Sequence, residues 1–173
     1  LAALLLSCIG ACAFAQTQQY PTKQIRFVLP LPAGSATDTV ARIVFQPMQA
    51  SLGQTLLVDN RPGAGQMIGL ELVAKSPADG YTILVGTNST NAALKSLMKK
   101  LPYDQDTAFT PIGFLGSVPL IVAVNNDFPA KTLRELVAFA RANPGKLSYA
   151  SPLGVGHASH LGMEILKQQL GLD

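Results

Sequence analysis

Three segments of this sequence share one design, in which a short apolar stretch leads through a loop of Gly, Ser and Thr into a helix-like pattern. The apolar stretches are residues 25–29, 82–85 and 147–150, and the loops that follow them are 30–37, 86–90 and 151–157. Strands that alternate with helices predict a parallel sheet, because parallel strands require a crossover connection. We therefore predict an α/β fold whose loops present backbone N–H groups at the carboxyl ends of strands, an arrangement that favours a small anion.

The first half of the chain predicts further elements of the same kind. Apolar residues recur at helical spacing after the first loop and predict a helix face formed by Val40, Ile43, Val44, Met48 and Leu52. Pro47 is expected to bend this helix, and Gly53 to end it. Residues 56–59 predict another strand, followed by a turn at 60–65 and a second helix, and residues 91–98 predict a short third helix.

The second half predicts more strands and two helices. The strands are expected at residues 111–116, 120–124 and 147–150. Thr132 and Glu135 have the spacing of a capping box, which opens a helix over Leu133–Ala142. The last helix is expected over Ala158–Leu170, where Gly171 stops it.

The first 15 residues are uncharged and apolar, and they end in the small-x-small triplet Ala-Phe-Ala. This pattern is typical of the apolar region and cleavage site of a secretory signal peptide. Because the chain opens at Leu1 without Met or a basic region, we expect the start of that peptide to be missing. Cleavage after Ala15 would remove Cys8 and Cys12, and a lipid anchor on Cys12 is the minority alternative.

Composition and spacing argue against several function classes. The net charge of +3 comes from 13 Lys and Arg against 10 acidic residues without a basic stripe, and there is no Trp, so nucleic-acid binding is poorly supported. After the signal segment, no apolar run reaches the roughly 20 residues that span a bilayer. His157 and His160 lie three positions apart without a nearby third ligand, so no metal and no cofactor is predicted.

No catalytic signature is present, because the sequence lacks a G-x-S-x-G elbow, a Walker A run and an H-E-x-x-H motif. Residues 63–69 have the spacing G-x-G-x-x-x-G, which differs from the dinucleotide-binding G-x-G-x-x-G. We interpret this segment as a structural turn, with Arg61 available to a carboxylate partner. An enzyme acting on an organic acid, with His157 or His160 as base, is an alternative hypothesis.

The first loop has two interpretations that its residues leave open. Gly34 would let the backbone approach a ligand, and Ser35 and Thr37 add hydroxyl donors. The same residues could instead form an ordinary tight turn in which Thr37 or Asp38 caps the helix. The negative charge of Asp38 would compete with an anion, which favours a structural role for that residue.

Several runs, taken in order, resemble one protein family. They are YPTKQIRFVLPLPAGSATDTVAR, LGQTLLVDNRPGAGQMIG, ADGYTILVGTNST, KKLPYD, FPAKTLRELVAFARANPGKLSYAS and HLGMEILKQQLG. The sequence thereby resembles the substrate-binding proteins of tripartite tricarboxylate transporters, the Bug-type receptors. The resemblance implies a monomeric periplasmic receptor, and no enzyme, with the two-lobed Venus flytrap fold of periplasmic binding proteins. Its lobes would close on a small carboxylate and deliver it to the integral membrane subunits of the transporter.

The resemblance also implies how the chain is divided. Residues 1–15 would be the signal peptide, 16–104 the first α/β lobe and 105–173 part of the second. Because family members are roughly twice the usual single-domain length, we expect this chain to be their N-terminal half. A truncated, non-functional remnant of such a receptor is therefore a second alternative.

In the family, three loops hold the ligand carboxylates, often through ordered waters. The matching residues here are Ala33, Gly34, Ser35 and Asp38 in the first loop, Thr87, Ser89 and Thr90 in the second, and Ser151, Gly154, Gly156 and His160 in the third. The sequence departs from the family pattern at Ser35, where a second Gly is usual, and at Leu94, where an Asn is usual. The third loop is one residue longer around Leu153, and His157 replaces a Ser or Thr, so the identity of the ligand stays open.

Overall fold

The computed structural model describes residues 20–172, so the predicted signal peptide and both cysteines lie outside the described residues. Three parallel strands form its sheet: β1 (Ile25–Leu29), β2 (Leu56–Asn60) and β3 (Thr82–Leu84). Their spatial order is β2-β1-β3, so the first strand in sequence is the central one. The predicted α/β class is confirmed.

β1 is the strand on which the sheet is built, because both neighbours pair with it. Phe27 lies opposite Val58 of β2 and Ile83 of β3. Val28 and Leu29 are fully buried, as expected for a parallel strand that is covered on both faces. β3 is one residue shorter than predicted.

The first helix, α1 (Ala36–Leu52), covers one face of the sheet. The ring centroids of Phe45 on α1 and Phe27 on β1 are 4.0 Å apart, and Ala41 is buried beside them. The predicted helix face is confirmed for the residues that pack against this core, Val44, Met48 and Leu52. It is wrong for Ile43, which is 65% exposed, because a residue two positions from both Ala41 and Phe45 points to the other side of a helix.

The helix ends where the sequence predicts. Gly53 adopts φ +63°, and its N–H donates to the Gln49 carbonyl at 3.0 Å. Only Gly takes this left-handed conformation without a steric cost, which is why it so often closes a helix. α1 continues through Pro47.

The second helix, α2 (Met67–Ala74), packs against β1 and β3. Right-handed crossovers place it on the opposite face from α1, because β2 and β3 flank β1 on different sides. Gly69 touches the chain that leaves β1: a Cβ at this position would lie 2.9 Å from the Pro30 Cβ. A single 3₁₀ turn, Ala64–Gln66, precedes α2 and has positive φ at each of its residues.

The third helical segment begins earlier than predicted. A π-helical turn, Ser89–Ala93, runs directly into α3 (Leu94–Leu97). Ser89 and Thr90 are buried polar residues at its start, and Leu94 is buried with them. The segment predicted at 91–98 is therefore confirmed as helical, with its start two residues earlier.

The last two helices have the predicted bounds, α4 (Leu133–Ala142) and α5 (Ala158–Leu170). The capping box is present, since Thr132 Oγ1 accepts from the Glu135 N–H at 3.2 Å and Glu135 Oε2 accepts from the Thr132 N–H at 3.1 Å. Gly171 closes α5 with φ +60°. Within residues 20–172, none of the helices has the length and apolar character needed to cross a membrane.

The strands predicted at 111–116, 120–124 and 147–150 are wrong for the described part of the chain, where these residues form no ladder. Their apolar pattern favours a strand, but a strand also needs a hydrogen-bonded neighbour. No described segment pairs with them in a hydrogen-bonded ladder. Phe114 and Ile121 are consequently more than four-fifths exposed.

Leu29→Ala should strongly destabilise the fold, because Leu29 is fully buried in the central strand and a buried Leu→Ala change costs about 2–5 kcal/mol. Chemical denaturation measures the change in the free energy of unfolding. Leu57→Ala is the matched control, since Leu57 on β2 is 43% exposed. Equal losses for the two variants would contradict the position of β1 at the centre of the core.

Candidate functional site

The candidate site is the carboxyl edge of the sheet, where the sequence predicts anion-binding loops. With the strand order β2-β1-β3, the crossover from β1 to β2 and the crossover from β2 to β3 run in opposite directions along the sheet. Ligands of open α/β sheets bind at such a switch point, outside the carboxyl ends of the strands. The first loop follows β1 and the second follows β3, so the fold brings these two predicted loops to adjacent strand ends.

In the first loop, the carboxylate of Asp38 accepts hydrogen bonds from three neighbouring residues. Its Oδ2 accepts from the Gly34 N–H at 2.9 Å and from Arg42 Nε at 3.0 Å. Its Oδ1 accepts from Asn60 Nδ2 at 3.1 Å. Asp38 is only 3% exposed, and a buried carboxylate needs such donors to offset its lost hydration.

These partners set the charge state of Asp38. The hydrogen bond from Arg42 holds the pKa of Asp38 below its ordinary value, and the bonds from Gly34 and Asn60 act in the same direction, outweighing the opposing effect of burial. Asp38 is therefore ionised at neutral pH. The geometry supports a structural role for it, as its charge suggested.

The N-cap of α1 is Ser35, and the sequence interpretation that named Thr37 or Asp38 is wrong. Ser35 Oγ accepts from the Asp38 N–H at 3.3 Å. Gly34 has φ +79°, the left-handed conformation that suits Gly. Of the other predicted residues, Ala33 is exposed and Ser35 half-buried.

The N–H groups of Ala36 and Thr37 have no hydrogen-bond acceptor among the described residues. They are the first two amides of α1, which no carbonyl of the helix itself can satisfy. Sequence reasoning named the loop before them rather than these amides. They are the donors in the first loop that are still able to bind an anion.

In the second loop, polar groups form hydrogen bonds with one another. The Thr87 N–H donates to Thr90 Oγ1 at 2.7 Å, and Thr90 Oγ1 in turn donates to the Thr87 carbonyl at 2.9 Å. Gly86 approaches the Asn91 side chain so closely that a Cβ there would lie 2.6 Å from it. Two of the three predicted residues, Thr87 and Thr90, are therefore mutual hydrogen-bond partners.

The third loop is a chain of short polar contacts at the start of α5. Ser151 Oγ lies 2.8 Å from Ser159 Oγ and donates to the Gly154 carbonyl at 3.2 Å. The Gly156 N–H donates to His160 Nδ1 at 3.4 Å. Gly154 and Gly156 both have φ above +80°, so the loop uses conformations that other residues rarely adopt.

His157, the residue that replaces a Ser or Thr of the family pattern, is the N-cap of α5. Its Nδ1 accepts from the Ser159 N–H at 3.4 Å. Burial lowers the pKa of His157, which favours the neutral ring that such an acceptor requires. The ring nitrogen is thus engaged in capping.

The second and third loops are in direct contact, although they are far apart in sequence. The Ala158 N–H at the start of α5 donates to Ser89 Oγ at 3.0 Å. A Cβ on Gly156 would lie 2.9 Å from Leu97 Cδ1. The fold thus joins the start of the third helical segment to the start of α5.

Sequence reasoning missed three residues that support the loops. Arg42 could have been found, because it lies four positions after Asp38 on one helix face. Asn60, which also donates to the Leu31 carbonyl at 3.1 Å, and Gln105, which donates to the Thr90 carbonyl at 3.4 Å, act across the chain. No local pattern in the sequence indicates either of them.

The turn after β2 is structural, as interpreted. Arg61 Nε donates to Asp59 Oδ1 at 2.9 Å, so the expected carboxylate partner of Arg61 is its own neighbour. Arg26 on β1 binds the same carboxylate. Among residues 20–172, no group of three His, Cys, Asp or Glu side chains is arranged to hold a metal ion.

Comparison with known protein families identifies a match. The family described as "Tripartite tricarboxylate transporter family receptor" matches residues 40–173. A UPF0065 protein of Bordetella pertussis is 38% identical over 168 residues, which cover 97% of this chain and 51% of that protein. Protein BugT of the same organism is 35% identical, covering 97% of this chain and 52% of BugT. The chain therefore spans about half the length of these relatives.

Comparison with solved structures also finds proteins of which this chain matches about half. The periplasmic binding protein BugD has 37% identity and a TM-score of 0.74, and the match covers 89% of this chain and 51% of BugD. A protein of R. palustris with adipate has 33% identity and a TM-score of 0.83 at the same coverage. MatC of Rhodopseudomonas palustris with bound malate has 32% identity and a TM-score of 0.76, covering 89% of this chain and 52% of MatC.

Asp38→Asn should lower stability at pH 7 by about 2 kcal/mol, because hydrogen bonds to a charged group contribute about 1.5–3 kcal/mol. The folded pKa of Asp38 lies below its unfolded value, so its contribution is fully present above that unfolded value and is lost as the pH falls through the folded pKa. Denaturant titrations measure the free energy of unfolding. The difference in this free energy between wild type and variant should be smaller below pH 4 than at pH 7. Asp106→Asn is the control, since Asp106 pairs with Lys95 at an exposed site. A stability difference that is the same at every pH would contradict the stabilising role of the ionised Asp38 carboxylate.

Proposed function

The chain belongs to the tripartite tricarboxylate transporter receptor family, and on that basis we propose that it captures a small carboxylate in the periplasm. The captured solute is delivered to the integral membrane subunits of a transporter. Binding takes place at the carboxyl edge of the sheet, between the three loops. The proposed role is that of a receptor, without catalysis.

The observation that carries this proposal is the pair of unpartnered amides at Ala36 and Thr37. They lie at the positive end of a 17-residue helix, directly after the central strand. Two N–H donors and the helix dipole favour a carboxylate oxygen. Solved relatives of the same fold hold dicarboxylates, adipate in one and malate in another.

The surrounding charges agree with this role. Arg42 offsets the charge of Asp38, and Gly34 and Asn60 donate hydrogen bonds to its carboxylate, so that charge does not repel an anion at full strength. Ser151 and Ser159 supply hydroxyl groups that rotate to donate or accept. Contacts mediated by water would add little cost and would allow ligands of different length.

The proposal predicts that the chain binds malate or adipate and does not bind the corresponding uncharged diamides. Isothermal titration calorimetry measures the heat of binding and the affinity for each acid and each diamide. Ser151→Ala should weaken binding about fivefold, the equivalent of one hydrogen bond of about 1 kcal/mol. Ser76→Ala, which only loses a bond to the Leu72 carbonyl, should leave the affinity unchanged. Binding of the diamides as tightly as of the acids would contradict recognition of carboxylate charge.

A second candidate is that the chain does not bind a ligand unaided. The exposed apolar residues Ile112, Phe114 and Ile121 favour it, because large exposed apolar patches mark surfaces that are normally covered. Unfolding followed by both near-UV and far-UV circular dichroism separates the two candidates. Coincident, cooperative transitions together with carboxylate binding support the receptor, whereas gradual transitions without binding support the second candidate.

A further inference from the structure

The contact between Ser89 and α5 is buried and spans 69 positions of sequence. Ser89 is 2% exposed, and its Oγ accepts the N–H of Ala158, the first residue of α5. An N-terminal helix amide has no partner within its own helix. His157 accepts from the Ser159 amide, and the acceptor for the Ala158 amide comes instead from Ser89 of the second loop.

A second contact joins the third loop to α3, the helix that follows the second loop. Gly156 in the third loop has φ +85°, and its backbone lies so close to Leu97 that an added Cβ would be 2.9 Å from Leu97 Cδ1. The polar contact and the apolar contact lie on either side of His157. The third loop is thereby held against both the second loop and α3.

We propose that Ser89 is a latch, whose hydroxyl oxygen occupies the first amide of α5 until a ligand carboxylate takes its place. The inference rests on the proposed function and assigns a competing role to one residue of that site. A carboxylate oxygen and the Ser89 oxygen compete for one N–H, and the charged acceptor forms the stronger bond. The ligand also gains from the positive end of the 13-residue helix α5.

The latch couples binding to movement. Because Ser89 is almost fully buried, a ligand oxygen reaches the Ala158 amide only when the second and third loops separate. The free energy of the Ser89 contact is then subtracted from the observed affinity, as for any ligand that must first open a closed state. Removing the latch should therefore strengthen binding, whereas removing a direct ligand contact would weaken it.

The first test measures hydrogen exchange of the Ala158 amide by NMR in the full chain. Ser89→Ala should accelerate this exchange about fivefold, the equivalent of one hydrogen bond. Ser89→Cys keeps the shape of the side chain but offers a weaker acceptor, and it should give an intermediate rate even if the Ala variant folds poorly. The control Ser76→Ala should leave the Ala158 amide unchanged. An unchanged rate in both Ser89 variants would overturn the latch.

The second test measures the affinity for malate and adipate by calorimetry. Ser89→Ala should bind the preferred acid about fivefold more tightly than wild type, since the competing acceptor is gone. Weaker or unchanged binding would overturn the latch, and weaker binding would make Ser89 a direct ligand contact. If wild type and variants bind neither acid, the proposed function fails, and the exchange rate of the Ala158 amide still decides whether Ser89 holds the loops together.

Discussion

The buried carboxylate of Asp38 is the interaction on which the geometry of the candidate site depends. One side chain binds the first loop through Gly34, the helix α1 through Arg42 and the end of β2 through Asn60. A charge that is only 3% exposed must be matched by donors, so the three elements cannot move apart without a large loss of free energy. The amides of Ala36 and Thr37 thereby keep a fixed direction at the end of the central strand.

Local features of the sequence could be predicted, because their causes lie within a few residues. The capping box of Thr132 and Glu135 and the closing glycine at 53 needed only the spacing of the chain. The predicted strands at 111–116 and 120–124 are wrong because a strand also depends on a neighbour that the local pattern does not reveal. The position of Ser89 against Ala158 could not be predicted for the same reason, since it joins residues 69 apart.

The three loops are alike in composition but differ in how much of their hydrogen-bonding capacity is free. In the second loop the Thr side chains bond within the loop, while Ser89 accepts from the first amide of α5 and His157 of the third loop caps the same helix. The first loop alone keeps two helix amides without an acceptor among the described residues. A shared Gly/Ser/Thr pattern thus supports different tasks, and only the positions of the partners distinguish them.

The absence of a side chain at Gly69 has a consequence for this edge of the sheet. α2 lies against Pro30, the residue from which the first loop departs, with no space for one added carbon. Any larger residue at position 69 would require Pro30 or α2 to shift, although position 69 is not one of the predicted site residues. The start of the first loop is therefore constrained by a helix on the other face of the sheet as well as by the residues of the loop itself.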